Sequence, residues 1–469
     1  MLFNSISFIV FLPIVLIGFF TIPHRYRWIF SLTASIVFYM FFIPIYVLIL
    51  LLTIIVDFYA GIKIEETNGK SKVFFLWASV IITCLILFCF KYYNFFIANV
   101  NDLAVFMGWN YSITMLEIIL PIGLSFHTFQ SLSYVIEVYR GNQRAERHFG
   151  IYALYVMYWP QLVAGPIERP QNLLHQFKKK QIFRYTNFYR GLRLVVLGFF
   201  MKLVVADRLA IYVNAVYGNP DFHSGKSIAL AALFFSFQIY CDFAGYSSIA
   251  LGVSRMMGIT LMTNFRRPYF SSSVGEFWRR WHISLSTWFK DYVYIALGGN
   301  RAKSKIRSLM NLFITFLISG FWHGANWTFI IWGGLNGLYL MVENLFNGSR
   351  SRSMNKSLRM LKILLVFCLI SFSWIFFRSD SLSNAFFMIY KLFLFNGSIF
   401  VPADPEILVY CFLSISLIVF WEGFYELIFK NRSYLFNRKI FSYCIIFIAF
   451  FFILLFGVFD GGQFIYFQF

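Results

Sequence analysis

Long apolar runs separated by short basic loops recur from one end of the chain to the other. They fill about 5–22, 28–62, 73–100, 115–138, 148–167, 187–217, 227–254, 308–342, 360–377, 384–397, 406–429 and 440–458. A hydrocarbon core of about 30 Å takes ~20 apolar residues as a helix. Several runs are long enough for two helices or for one strongly tilted helix. The pattern predicts an all-α polytopic membrane protein with roughly 10–13 spans. No repeat of fixed period, soluble domain or long linker interrupts it, so a single integral membrane domain over 1–469 is the economical reading.

Three places break the rhythm. The uncharged stretch His148 to Ile167 carries Pro160, Gly165 and Pro166. A proline removes a helical hydrogen bond, and such breaks survive at membrane depth only where protein or a wet cavity satisfies the backbone. A broken or re-entrant segment is expected there. Residues 308–342 form 35 consecutive positions without Lys, Arg, Asp or Glu. One straight helix of that length would run about 50 Å, well beyond the bilayer core. The interruption is expected at Gly320-Phe321-Trp322-His323-Gly324-Ala325-Asn326-Trp327. The third place, Glu276 to Tyr292, reads as one amphipathic helix. Trp278, Trp281, Leu285, Trp288 and Tyr292 fall on one face at 3.6 residues per turn, and Glu276, Arg279, Arg280, Thr287 and Lys290 largely on the other. Such a basic, Trp-rich helix suits the cytoplasmic interface, with His282 at the border of its two faces and Ser286 one turn on.

Composition narrows the class further. The 469 residues are 59% hydrophobic, 22% aromatic and 13% charged, against the ~25% charged of ordinary soluble domains. Disorder, a secreted disulfide scaffold and a soluble enzyme on one anchor are excluded. The formal charge of +20 would suggest nucleic acid in a soluble protein. Here the basic residues occupy short loops, as cytoplasmic loops beside anionic lipid do, and no nucleic-acid partner is expected. The uncharged run 2–23 has no basic region before it and no small-residue cleavage site after it, so it is expected to stay as a first helix with its amino terminus outside.

Ten Lys and Arg against Glu276 and Asp291 place 255–307 on the cytoplasmic side. A cysteine introduced at Ser304 is therefore expected to resist an impermeant thiol reagent in cells whose outer barrier has been opened. Ready labelling would overturn that topology.

Few residues remain for chemistry. The six cysteines stand singly in or beside apolar runs, without C-x-x-C spacing, and read as small buried hydrophobes. No His, Cys or carboxylate pair has zinc spacing, and no P-loop, G-x-S-x-G or dinucleotide fingerprint occurs. His323, between two glycines with Asn326 beyond, is either a hydrogen-bonded structural histidine or a functional one at a break in the membrane. Asp242 is the lone charge between Ser227 and Ser254 and shares a helical stripe with Gln238 and Tyr246. It is either tied to a nearby Arg or the charge partner of a catalytic histidine. His127 and Gln130 favour packing and lining over catalysis.

The chain resembles the membrane-bound O-acyltransferase superfamily, in its bacterial alginate O-acetyltransferase-like branch. The resemblance runs nearly end to end. It rests on Pro121-Ile122-Gly123-Leu124-Ser125-Phe126, Gln130-Ser131-Leu132-Ser133-Tyr134, Ala164-Gly165-Pro166-Ile167 and Gln238-Ile239-Tyr240-Cys241-Asp242-Phe243. Further on come Asn264-Phe265-Arg266-Arg267-Pro268-Tyr269-Phe270, the Phe277-to-Tyr294 segment and Leu297-Gly298-Gly299-Asn300-Arg301. Phe321-Trp322-His323-Gly324, Trp374-Ile375-Phe376-Phe377-Arg378 and the closing Ile465-Tyr466-Phe467-Gln468-Phe469 complete it. The sequence departs from the branch at His127, where an aromatic is expected, at Ser248 for a usual Asp, and at Lys290 for a usual Arg.

The resemblance implies broken and re-entrant helices around a central tunnel, and acyl transfer from a cytosolic thioester to an acceptor at or beyond the outer face. The superfamily's two hallmark histidines fall on His323 and His282. His323 fits the base that takes a proton from the attacking hydroxyl, and His282 fits a group that orients the thioester or polarises its carbonyl. Trp278, Trp281, Ser286, Trp322, Asn326, Asp242, Gln238 and Tyr246 would line the tunnel. Arg266, Arg267, Arg279, Arg280, Lys290 and Arg301 would meet the phosphates of coenzyme A or an acidic acyl carrier protein. No bound cofactor and no metal are expected, with acetyl-coenzyme A or an acyl-carrier thioester as donor substrate. The expected acceptor is a cell-surface or exported polysaccharide, with peptidoglycan or teichoic acid as alternatives. A separate extracytoplasmic acetyltransferase and residence in the bacterial inner membrane are implied with it. A route through an acylated residue of this chain stays open. So does the rival of another class, a transporter or lipid flippase, which broken helices and intramembrane His and Asp fit equally well.

Overall fold

The computed structural model describes residues 1–163, 165–301, 304–346, 355–427, 439–459 and 464–465. Ala164, the closing Tyr466, Phe467, Gln468 and Phe469, and the last two positions of the 406–429 run lie outside the described residues. Helices make up all the regular secondary structure described, with no strand among these residues. Six are long and apolar enough to cross a membrane: Tyr46–Glu66, Gly69–Phe106, Gly225–Met256, Trp327–Phe346, Lys356–Arg378 and Glu406–Glu426. Three shorter apolar helices accompany them, Ile6–Thr21, Leu382–Leu394 and Tyr443–Phe456. The chain divides into two compact units, 1–192 with 250–262, and 193–249 with 263–469.

The first unit holds α1 (Ile6–Thr21), α2 (Arg27–Met40), α3 (Tyr46–Glu66), α4 (Gly69–Leu87), α5 (Tyr93–Phe106), α6 (Leu124–Tyr139), α7 (Phe149–Met157), α8 (Trp159–Leu162) and α9 (Pro170–Lys178). Ser5 starts α1 by accepting the Phe8 N–H on its hydroxyl. Ile6, Ile9, Ile14 and Ile17 on that helix are exposed, as a lipid-facing surface requires. The expected break between His148 and Ile167 is present: α7 ends at Met157, and after Tyr158 α8 restarts with Pro160 in its first turn, where a missing N–H costs nothing. Trp159 at the break is fully buried among Phe3, Phe8, Phe11 and Phe38. His127 is buried on α6 against the Thr53 hydroxyl, the packing role its position suggested.

Helix α10 (Tyr185–Phe199) leads into the second unit, followed by a π-helical turn at Phe200–Ala206, α11 (Asp207–Gly218) and α12 (Gly225–Met256). Two short helices come next, α13 (Val274–Arg280) and α14 (Ile283–Phe289). Long helices follow as α15 (Lys305–His323), α16 (Trp327–Phe346), α17 (Lys356–Arg378), α18 (Leu382–Leu394), α19 (Glu406–Leu427) and α20 (Lys439–Phe456). The 35-residue uncharged run is interrupted where expected. Gly324 to Asn326 separate α15 from α16, each of which runs about 30 Å and so matches one bilayer core.

The two helices of that hairpin pack backbone to backbone. A Cβ at Gly320 would lie 2.3 Å from the Phe329 carbonyl oxygen, and one at Gly333 2.4 Å from that of Phe316. Only glycine permits this approach. It sets His323, one turn after Gly320, over Trp332, the neighbour of Gly333.

Candidate active site

His323 ends α15 at the helix break and is buried, with 8% of its surface exposed. Its ring meets Trp332 edge-on at 5.0 Å and Phe377 of α17 at 5.4 Å between centroids. Asn326, in the break, is spent on architecture. Its amide nitrogen donates to the Asp380 carbonyl, and its oxygen accepts the Thr328 N–H that opens α16. Trp322 is half-buried beside it.

His282 is 2% exposed and belongs to the same unit. The single amphipathic helix expected over Glu276–Tyr292 is corrected here: α13 stops at Arg280, and His282 takes a left-handed conformation, φ 41°, before α14 begins. The physical cause lies upstream. Arg266 N–H donates to the Arg280 carbonyl and Ile283 N–H to the Asn264 carbonyl, so these groups bond across to 264–266 instead of along a helix. At the other end of α13, the Glu343 carboxylate of α16 accepts the Val274 and Gly275 N–H groups, tying the short helix to the hairpin. Phe277, Trp281, Leu285 and Trp288 are all buried, so the segment is part of the core and not a surface anchor.

The hydrogen bonds fix the tautomer of His282. The Ser284 backbone N–H donates to Asn264 Oδ1 at 3.2 Å, and an N–H has no other role, so that atom is an oxygen. His282 Nδ1 lies 3.1 Å from the same oxygen and must therefore carry the proton. The ring's lone pair is left on Nε2. Burial, helped by the proximity of the second imidazole, His323, holds the His282 pKa well below its ordinary value, which favours the neutral ring at pH 7. A neutral ring in this tautomer accepts at Nε2 and cannot polarise a carbonyl by donation.

Aromatic rings connect the two histidines. Trp281 packs on Trp374 at 5.1 Å, Trp374 stacks on Trp332 at 5.6 Å, and Trp332 meets His323. Trp278 closes on Trp332 edge-on at 5.8 Å. Phe243 stands edge-on to the His282 ring at 4.5 Å. The structure thus assembles His282, His323, Trp278 and Trp281 in one aromatic cluster.

Other expected residues serve elsewhere. Asp242 joins a buried ion cluster with Lys202 and Asp207, and Tyr246 lays its ring over Lys202. The partner of Asp242 is therefore a lysine, not the arginine or histidine the sequence suggested. Gln238 is buried one turn before Asp242. Ser286 donates to the Trp281 carbonyl and supports the turn at His282. Arg267 and Arg280 both pair with Glu426, whereas Arg266, Arg279, Lys290 and Arg301 are exposed. Asn264 and Trp374, named only as parts of motifs, and Lys202 and Trp332 were given no role from sequence. Lys202, a charge inside an apolar run, was the one with a readable signal.

Comparison with known proteins decides the family. Residues 148–381, which include both histidines, match the membrane-bound O-acyltransferase family. The probable alginate O-acetylase of Azotobacter vinelandii is 37% identical over 84% of this chain and 79% of its own length. This chain belongs to the membrane-bound O-acyltransferase family. The peptidoglycan O-acetyltransferase of Helicobacter pylori is 34% identical over 85% of this chain and 80% of its own. The teichoic acid D-alanyltransferase of Bacillus subtilis is 28% identical over 48% of this chain and 59% of its own. The protein is thus a multi-pass membrane acyltransferase, and the family match tells against a transporter or flippase.

Proposed function

We propose that this membrane O-acyltransferase moves an acetyl group from a cytosolic thioester, acetyl-coenzyme A or an acyl carrier, across the bilayer for O-acetylation of a cell-surface or exported polysaccharide. The observation that carries the reading is the pairing of His323, buried at a helix break, with a neutral His282 of defined tautomer in one aromatic cluster. The relatives that match most of this chain are named for O-acetyl transfer, whereas the D-alanyl relative matches less than half of it, which favours acetyl.

In this reading His323 takes the hydroxyl proton as base. His282 orients the donor: its Nε2 lone pair accepts an amide N–H such as the pantetheine arm beside a thioester carries. Exposed Arg266, Arg279, Lys290 and Arg301 attract the donor's phosphates or an acidic carrier, and Arg267 and Arg280 contribute charge from their pairs with Glu426. Trp278, Trp281 and Trp322 flank the acyl path. A separate extracytoplasmic transferase completes delivery to the polymer, the enzyme works as one domain, and its home is the bacterial cytoplasmic membrane.

The test separates the histidines. In reconstituted membranes supplied with acetyl-coenzyme A, His282→Ala is expected to lose about 10²-fold in rate, the usual cost of one orienting hydrogen bond, and to recover part of it as donor is raised. His323→Ala stays flat. An identical donor response of both variants would overturn the division of roles. Unchanged O-acetyl content, by mass analysis of surface polysaccharide from cells lacking the protein, would overturn the acceptor class.

A further inference from the structure

The acyl oxygen needs a donor that neither histidine supplies. Attack of a hydroxyl on a thioester builds negative charge on the carbonyl oxygen, and enzymes meet it with preorganised hydrogen-bond donors. His282 is held with its proton on Nδ1, bonded to Asn264, and presents a lone pair at Nε2. His323 must itself be a proton acceptor when the hydroxyl attacks. The His323 ring packs on Trp332 and Phe377, and Trp332 in turn meets the rings of Trp278 and Trp374.

Three of these rings, Trp332, Trp278 and Trp374, carry a buried Nε1–H without a hydrogen-bond partner among the described residues, and of the three it is Trp332 that meets His323. Trp332 is 1% exposed. Buried N–H groups are nearly always paired, and one left over at a reactive centre asks for a ligand acceptor. Among its ring neighbours the imidazole of His323 is the one group able to do chemistry.

We infer that the indole N–H of Trp332 donates a hydrogen bond to the acyl carbonyl oxygen and makes Trp332 a catalytic residue; this rests on the acyl-transfer reading with His323 as base. The step balances without a further reactant. The acceptor oxygen bonds to the carbonyl carbon while its proton passes to the His323 ring. The carbonyl π pair moves onto oxygen, where the Trp332 N–H holds it. The carbonyl then re-forms, the C–S bond breaks, and the departing thiolate takes the proton from the imidazolium.

The experiment compares full-length variants in cells by the rate at which O-acetyl ester accumulates on surface polysaccharide, normalised to protein in the membrane. Trp332→Phe keeps an aromatic ring and deletes the N–H; a loss of about 10²-fold is expected. Benzothienylalanine at position 332, an isostere with sulfur in place of N–H, is expected to lose as much, and decides the matter should the Phe variant not fold. Trp159→Phe is the control, because Trp159 Nε1 is also buried without a partner, but among phenylalanines. It is expected to keep the wild-type rate. A wild-type rate for the isostere, or equal losses at 159 and 332, would overturn the assignment while leaving His323 as base if His323→Ala is inactive. An active His323→Ala, or wild-type cells that add no acyl ester, would instead overturn the reading beneath it, and the assignment with it.

Discussion

Replacing His323 by alanine is expected to reduce acyl transfer by 10³ or more while the protein still inserts into the membrane. A positioned base contributes about 10²–10⁴ in rate; the rings that pack on His323, Trp332 and Phe377, carry no basic group, and His282 is held by Asn264. Insertion is expected to survive because the α15–α16 hairpin closes through Gly320 and Gly333, and the break after it is held by Asn326. The imidazole carries none of these contacts. His323→Gln, which retains polarity and most of the volume without a basic nitrogen, is expected to be as inactive as alanine. The check is O-acetyl ester on the cell's polymer at matched amounts of membrane protein. Wild-type acetylation by either variant would remove His323 from the chemistry.

The position of that histidine was legible because length alone forces it. A 35-residue uncharged run exceeds one bilayer, and two glycines around an imidazole with Asn326 beyond mark the place expected for its break. The geometry at His282 was not legible, because its cause is tertiary. Asn264, 18 residues earlier, captures the Ser284 N–H and the imidazole, and overrides a helical pattern that is locally sound. The same hydrophobic face is buried in either conformation, so periodicity cannot distinguish one helix from two short ones. Trp332 was invisible for a different reason: a tryptophan in an apolar helix reads as core until its neighbours are known. Asp242 stood out as an intramembrane charge, yet its partner lies 40 positions away on another element. Sequence spacing carries no trace of that pairing.

That partner sets the largest stability effect. Lys202 Nζ lies 2.7 Å from both Asp207 Oδ1 and Asp242 Oδ1, and the three residues are 1%, 7% and 2% exposed. Asp242 Oδ2 also accepts the Ile465 N–H at 2.7 Å, while Phe464 packs on Tyr246 and Phe243. Removing the lysine strands two carboxylates in an apolar surround, which for buried ion pairs costs about 3–5 kcal/mol. Lys202→Met is therefore expected to lose most of its folded protein in detergent at temperatures the wild type survives. Neutralising the stranded charges as well, in Lys202→Met with Asp207→Asn and Asp242→Asn, is expected to restore much of that loss, because an uncharged cluster has no desolvation debt. Asp242→Asn alone is expected to be milder, with activity per folded molecule close to wild type, since Asp242 pairs with a lysine and not with a histidine. Heating purified variants and counting the monodisperse fraction measures the first two; acetylation per folded molecule measures the third. Heat resistance of Lys202→Met equal to wild type would show that the ion cluster is dispensable. A collapse in activity of well-folded Asp242→Asn would return Asp242 to the histidines.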